Sequence, residues 1–329
     1  MNYCLTRRQA IASMACTCAI PFATAQSSFP NKPLKVIVPQ PPGGGFDFVG
    51  RMLGERLGKQ LEQSIVVENR PGSGTLVGTD LVAKATPDGY TMLVGSVSNM
   101  ALNMGLYANL PYDSLRDFEL VGLASSYSYT LIARKDFPFA SLKDLIAFAK
   151  ANPGKLSYAS GGNGSGQHVL AAALWYLAGV ELIHVPYRGA QAAYQDLLGG
   201  RVDVFFDLAP TARVQVDAGN VRALATSGAN RNTMHPDVPT LIETGVTGNA
   251  GLELESWFGL FVPSKTPVGV LQKLRAELAK VIEAPELVAM FSKAGGRSLA
   301  LSVEQANTLI KRDVERWKKL IKAMGIKPE

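Results

Sequence analysis

Beyond residue 18 the chain has no cysteine, because all three (Cys4, Cys16 and Cys18) fall in its opening segment. Once that segment is removed there is nothing to form a disulfide, a cysteine nucleophile or a thiolate metal centre. Histidine is equally scarce. His168, His184 and His235 show no ligand spacing, so a zinc site is not expected, and no cofactor is called for. No stretch approaches the ~20 apolar residues of a membrane span. Catalytic signatures are missing too. Gly58-Lys59 is followed by Gln60, which rules out a phosphate-binding Walker loop, and Asn163 and Tyr158 stand where a G-x-S-x-G elbow needs glycine. Lysine and arginine are scattered rather than clustered, and the densest run (Lys311, Arg312, Arg316, Lys318, Lys319) is interleaved with Asp313 and Glu315. That is a solvated helix face, so no nucleic-acid partner is expected.

What the chain does have begins with an address. Arg7-Arg8, an apolar stretch from Ala10 to Ala23 and the small-residue site Ala23-Thr24-Ala25 have the layout of a secretory signal, predicting residues 1–25 as a leader cut after Ala25. Thr6-Arg7-Arg8 also fits a twin-arginine signal, with Ala10 where phenylalanine is frequent, so both export routes stay open. A lipid anchor at Cys16 is disfavoured by Ser13 in the place of an aliphatic residue. Cleavage removes two of the 33 basic residues and none of the 27 acidic ones, leaving a mildly basic protein.

The most distinctive segments are two glycine-rich turns, Pro41-Pro42-Gly43-Gly44-Gly45-Phe46-Asp47 and Ser160-Gly161-Gly162-Asn163-Gly164-Ser165-Gly166. Each follows a strand-like run and opens a helical one, so main-chain N–H groups at each helix start can converge on an anion. The plainer alternative is a tight strand-to-helix connection without a ligand. Neither turn meets G-x-G-x-x-G, since Phe48 and Gln167 occupy the last glycine's place. Strand-like runs at 35–39, 65–68, 90–95, 118–123, 129–134, 156–159, 182–186, 202–206, 221–226 and 258–262 alternate with helical stretches, which predicts an α/β fold with doubly wound sheets. Leucines at four-residue spacing mark the helices after both turns, and Ser141-Leu-Lys-Asp144 and Ser302-Val-Glu-Gln305 announce two more by capping chemistry. Ala124–Ser128 is too short for a parallel crossover and reads as a passage between sheets, with a return near Glu255–Phe258. The first domain is therefore discontinuous, 26–126 plus 256–329, and 127–255 is inserted, leaving a cleft between them.

Three titratable residues have two readings each. Asp47 caps its helix start or, less favoured, touches a ligand. His168, two residues past the second turn, is first a neutral imidazole bonded to backbone and second an acid–base group. Asp207 ends the run Val202–Phe206 where strand C-termini meet a binding crevice, or caps the segment starting near Pro210.

Val38-Pro39-Gln40-Pro41-Pro42-Gly43-Gly44-Gly45-Phe46-Asp47 resembles the Bug-type receptors, the periplasmic solute-binding proteins of tripartite tricarboxylate transporters. Val67–Gly74, Ala85–Tyr90, Leu110–Asp113, Tyr158–Gly161, Val185–Gly189, Asp237–Thr240 and Ser256–Leu260 match further blocks in order, covering essentially the whole mature chain. The resemblance implies a two-lobed flytrap in which Gly44, Gly45, Phe46 and Asp47 form one jaw and Ser160, Gly161, Asn163, Gly164 and Ser165 the other. Asp207 joins them as a ligand-site candidate. Two departures stand out. Gln40 replaces an aromatic or aliphatic residue, and Phe46 replaces a small hydroxyl residue, which makes an aromatic or larger carboxylate more credible. The expectation is a monomeric periplasmic receptor that binds a small organic carboxylate and presents it to membrane transporter subunits. A secreted enzyme using Asp207 or His168 as base, or a receptor feeding a signalling partner, are the alternatives.

Overall fold

A computed structural model describes residues 29–326; the expected leader lies outside the described residues. Strand β1 (Leu34–Val38) buries Leu34, Val36, Ile37 and Val38, the nearly continuous apolar run of a strand covered on both faces. Helix α1 (Gly45–Leu61) lays Val49, Leu53, Leu57 and Leu61 on the sheet. Gly50, Gly54 and Gly58 bring its axis close. A Cβ at Gly50 would sit 2.6 Å from Val38 Cγ2 and one at Gly54 3.0 Å from Val67 Cγ2. Strand β2 (Ile65–Asn69), helix α2 (Leu76–Ala83) and strand β3 (Thr91–Ser96) follow, with β1 pairing in parallel to both strands. A short helix α3 (Asn103–Leu106) precedes β4 (Phe118–Arg134).

Strand β4 departs from the sequence reading. Instead of two strands and a connector it is one strand of 17 residues, with Ala124–Ser128 buried in its middle. Ala-Ser-Ser-Tyr-Ser is small and polar like a turn, but both edges of the segment are paired and the Tyr127 ring packs edge-on against Phe48, Phe258 and Phe291. Tertiary pairing overrides local composition here.

Beyond β4 the chain runs through α4 (Leu142–Ala151), β5 (Ser157–Ser160), α5 (Gly166–Ala178), β6 (Ile183–Pro186), α6 (Ala190–Leu198), β7 (Val204–Leu208), α7 (Ala209–Asp217), β8 (Val221–Thr226) and α8 (Leu241–Thr244). It closes with β9 (Glu255–Pro263), α9 (Val268–Glu283), α10 (Pro285–Lys293), β10 (Gly296–Ser298) and α11 (Val303–Met324). Both expected capping boxes are present, at Ser141 with Asp144 and at Ser302 with Gln305. Strand β10 was not expected; at three residues it is too short for a hydrophobic pattern to register.

The first sheet runs β2-β1-β3-β9-β4, with β10 on the far edge of β4 at 125–127. The second runs β6-β5-β7-β4, with β8 on the far edge of β4 at 130–134. The N-terminal part of β4 thus belongs to one sheet and its C-terminal part to the other. One large apolar cluster extends through both, and a smaller one around Tyr194, Leu197 and Phe205 sits under α6.

Candidate ligand-binding cleft

Both glycine turns join a parallel strand's C-terminal end to a helix, the first from β1 to α1 and the second from β5 to α5. Asp47, in the first turn of α1, bends back on its own loop. Its Oδ2 accepts from the Gly43 N–H and from Arg51 Nε, each at 3.0 Å, and its Oδ1 accepts from Asn69 Nδ2 at 2.9 Å. Burial pushes this carboxyl up, but the hydrogen bonds from Arg51, Gly43 and Asn69 outweigh it and hold it below the usual carboxylate range. Asp47 therefore shapes the loop from within. Phe46 turns into the core, its ring edge-on to Phe258 at 5.2 Å, and Gly45 lies beneath Leu208 of β7, leaving no room for a Cβ. The N–H groups of Gly44, Gly45 and Phe46 have no partner among the described residues.

The second turn is more tightly bonded. Ser165 caps α5, its Oγ accepting from the His168 N–H at 3.3 Å and donating to the Gly162 carbonyl at 2.7 Å. The Gly164 N–H donates to His168 Nδ1 at 3.2 Å, and the Gly166 N–H to Ser98 Oγ at 3.0 Å. Gly164 holds φ at +78°, a conformation L side chains rarely adopt. Ser160 Oγ lies 2.7 Å from His184 Nε2, and the His184 ring stacks on His168 at 4.1 Å. Burial depresses His168 to about 4; burial and then the neighbouring His168 take His184 to about 3. Both imidazoles are neutral near pH 7, and His168 is bonded to backbone. The N–H groups of Gly161 and Asn163 have no partner among the described residues.

Asp207, at the penultimate position of β7, is 1% exposed and accepts from Tyr194 Oη at 2.8 Å, Thr211 Oγ1 at 2.6 Å and Gln167 Nε2 at 3.5 Å. Desolvation raises its pKa, partly offset by those donors. It ties α5, α6 and α7 to the strand end.

Between the turns opens a cavity of about 630 Å³. Gly161 and Asn163 line it from the second turn and Gln40 and Pro41 from the entrance to the first; Ser73, Tyr107 and Arg188 complete its polar wall. Of the ten residues singled out in the sequence, only Gly161 and Asn163 line this space. Gly44 and Asp47 face a separate groove, and Ser160, Ser165, Phe46 and Asp207 are buried. Arg188 is exposed and forms no ion pair among the described residues. It was not among those ten. The signal that finds it is its place two residues beyond β6, where strand C-termini in open α/β sheets meet a crevice. Ser73 and Tyr107 carry no such local signal, because they reach the cavity through loop packing.

Two α/β sheets sharing a strand, with a cavity between two helix-opening loops, define a two-lobed binding protein. The profile of the "Tripartite tricarboxylate transporter family receptor" matches residues 49–326, and the chain belongs to this family. It is an extracytoplasmic receptor for a small carboxylate, serving a transporter of this type. It is 39% identical over 317 residues to the "UPF0065 protein in tcbD-tcbE intergenic region" of Pseudomonas sp. strain P51, which covers 96% of this chain and 94% of the relative. Among solved structures it resembles the periplasmic binding protein BugD at 34% identity and a TM-score of 0.85, covering 92% of this chain and all of that one. It also resembles R. palustris Rpa4515 with adipate, at 30% identity and a TM-score of 0.86 with the same coverage.

Proposed function

We propose that the carboxylate is held in the cavity between the two glycine turns, with the N–H groups of Gly161 and Asn163 and the Arg188 guanidinium as its principal donors. The observation that carries this reading is the coincidence, in one space of about 630 Å³, of two unpaired N–H groups, the Gln40 amide and a cation without an acidic partner among the described residues. Such a volume suits a small organic ligand. Ser160, Gly164 and Ser165 keep the second jaw in shape, while Gly44, Gly45, Phe46 and Asp47 do so for the first. The adipate carried by the Rpa4515 structure favours a dicarboxylate over an aromatic acid, because Phe46 is turned into the core and adds no aromatic face to this cavity.

We further propose a monomer with lobes at 26–126 plus 256–329 and at 127–255, exported through its leader, that releases its ligand unchanged. Neither basic candidate is placed to catalyse. His168 Nδ1 is taken by the Gly164 N–H, Asp207 is enclosed by three donors, and neither lines the cavity. Calorimetry of the mature protein against linear dicarboxylates and benzoate, followed by recovery of the ligand, tests the reading. The expected result is one-to-one binding of a dicarboxylate recovered intact, weakened about tenfold, or 1.4 kcal/mol, by Arg188→Gln. Turnover of the ligand, or affinity untouched by Arg188→Gln and Gly164→Val together, would overturn it.

A further inference from the structure

On the other side of the first glycine turn lies a groove of about 770 Å³ that shares no lining residue with the cleft cavity. One wall comes from α1 and α10, packed on the first sheet, and the other from α6 and α7 on the second. Its apolar surface is contributed by Phe48, Met52, Met290 and Val214, and the Val214 side chain is 65% exposed. Four cationic side chains line it against two acidic ones. Most of these charges are already satisfied. Asp47 is taken by Arg51, Glu55 by Lys59 outside the groove at 2.7 Å, and Arg213 by Asp217 at 2.8 Å. Arg56 and Lys293 are left without a carboxylate among the described residues. The Arg56 guanidinium reaches only the Met52 carbonyl at 3.4 Å and Met290 Sδ at 3.8 Å.

Two uncompensated cations over a methionine-rich apolar surface complement a ligand with an apolar body and one anionic end. We propose that this groove is a second binding site, for an amphipathic organic anion such as an aromatic sulfonate or carboxylate, its charge between Arg56 and Lys293 and its body on Phe48, Met52, Met290 and Val214. The two walls are bridged by the Gln191 amide to the Gly43 carbonyl at 3.4 Å and by Arg213 Nη1 to the Lys293 carbonyl at 3.0 Å.

Fluorescence titration of the mature protein with anilinonaphthalene sulfonate, an amphipathic aromatic anion, tests the site. The expected result is saturable one-to-one enhancement that survives Arg188→Gln and is weakened at least about tenfold both by Arg56→Gln with Lys293→Gln and by Val214→Glu. Unchanged circular dichroism and thermal midpoints in these variants exclude a loss through unfolding. Lys293 and Val214 are exposed, which makes those substitutions mild for the fold. Absence of saturable binding, or binding indifferent to these substitutions, overturns the proposal. Loss of binding on Arg188→Gln instead puts the probe in the cleft and overturns the groove as its site, without touching the carboxylate-receptor reading.

Discussion

The buried polar residues around the second sheet are at work holding shape, and two of them make the fold sensitive to pH. His168 and His184 are kept neutral by burial, whereas in the unfolded chain both take a proton as pH falls through about 6.5. Stability contributed by the neutral pair is complete above 6.5 and is withdrawn as pH drops toward the folded values of about 4 and about 3. A histidine moved from 6.5 to about 4 withdraws about 3 kcal/mol across that window. Thermal denaturation should therefore show the midpoint falling between pH 6.5 and 4, and His168→Phe should flatten that fall; a parallel profile in the variant would disprove the assignment. Asp47 acts lower. Its folded pKa is depressed, so its contribution persists until pH drops below the ordinary carboxylate range. Asp207 has the opposite sign, raised by burial, and it matters as an acceptor. Asp207→Ala should destabilise by about 2–3 kcal/mol by stranding the Tyr194 hydroxyl and leaving Thr211 only the Leu208 carbonyl, and Asp207→Asn by about 1 kcal/mol or less, measured by urea unfolding.

Among the elements, α1 shows how packing can reverse an intrinsic preference. Alanine favours a helix over glycine by about 1 kcal/mol. At Gly50 a Cβ would fall 2.6 Å from Val38 Cγ2 and 3.1 Å from Val94 Cγ2, so Gly50→Ala should destabilise by about 1–3 kcal/mol through overpacking. Gly269, near the start of α9, has nothing within 4 Å of its absent Cβ, and Gly269→Ala should stabilise by about 0.5 kcal/mol. Equal effects in urea unfolding would mean that α1 does not approach β1 as closely as described. Periodicity gave α1, α5 and the capped helices α4 and α11, because each carries its burial pattern in consecutive residues. The same patterns are blind to the Gly50, Gly54 and Gly58 stripe, whose reason is the strand beneath it.

For the molecule as a whole, the decisive contact crosses the cleft. Gly74, in the loop before α2, lies against the second glycine turn so closely that a Cβ would meet the Asn163 carbonyl at 1.9 Å. Gly189, before α6, faces the Pro41 ring, where a Cβ would lie 3.2 Å from Pro41 Cγ. The first is an approach to main chain and the second to a proline ring, and both join segments anchored on different sheets. Gly74→Val should hold the jaws apart, increasing the radius of gyration seen by small-angle scattering and weakening carboxylate binding at least about tenfold, while each sheet's own core is left untouched. A variant with wild-type radius and affinity would show that this contact does not limit closure.

The sequence by itself determined the α/β alternation, nearly every strand, the two glycine turns and the family, because each is encoded in neighbouring residues: apolar runs, capping pairs, glycine clusters and ordered blocks. Only the tertiary structure decided what depends on residues far apart in the chain. It joined Phe118–Leu123 and Tyr129–Arg134 into one strand, since pairing with β9 and β10 made a strand of a segment with turn-like composition. It turned Phe46 inward because Phe258, 212 positions away, supplied an aromatic partner. It also set Arg188 beside Asn163 and Gln40, since loops from three strand ends meet at one cavity and no local pattern records which loops will be neighbours.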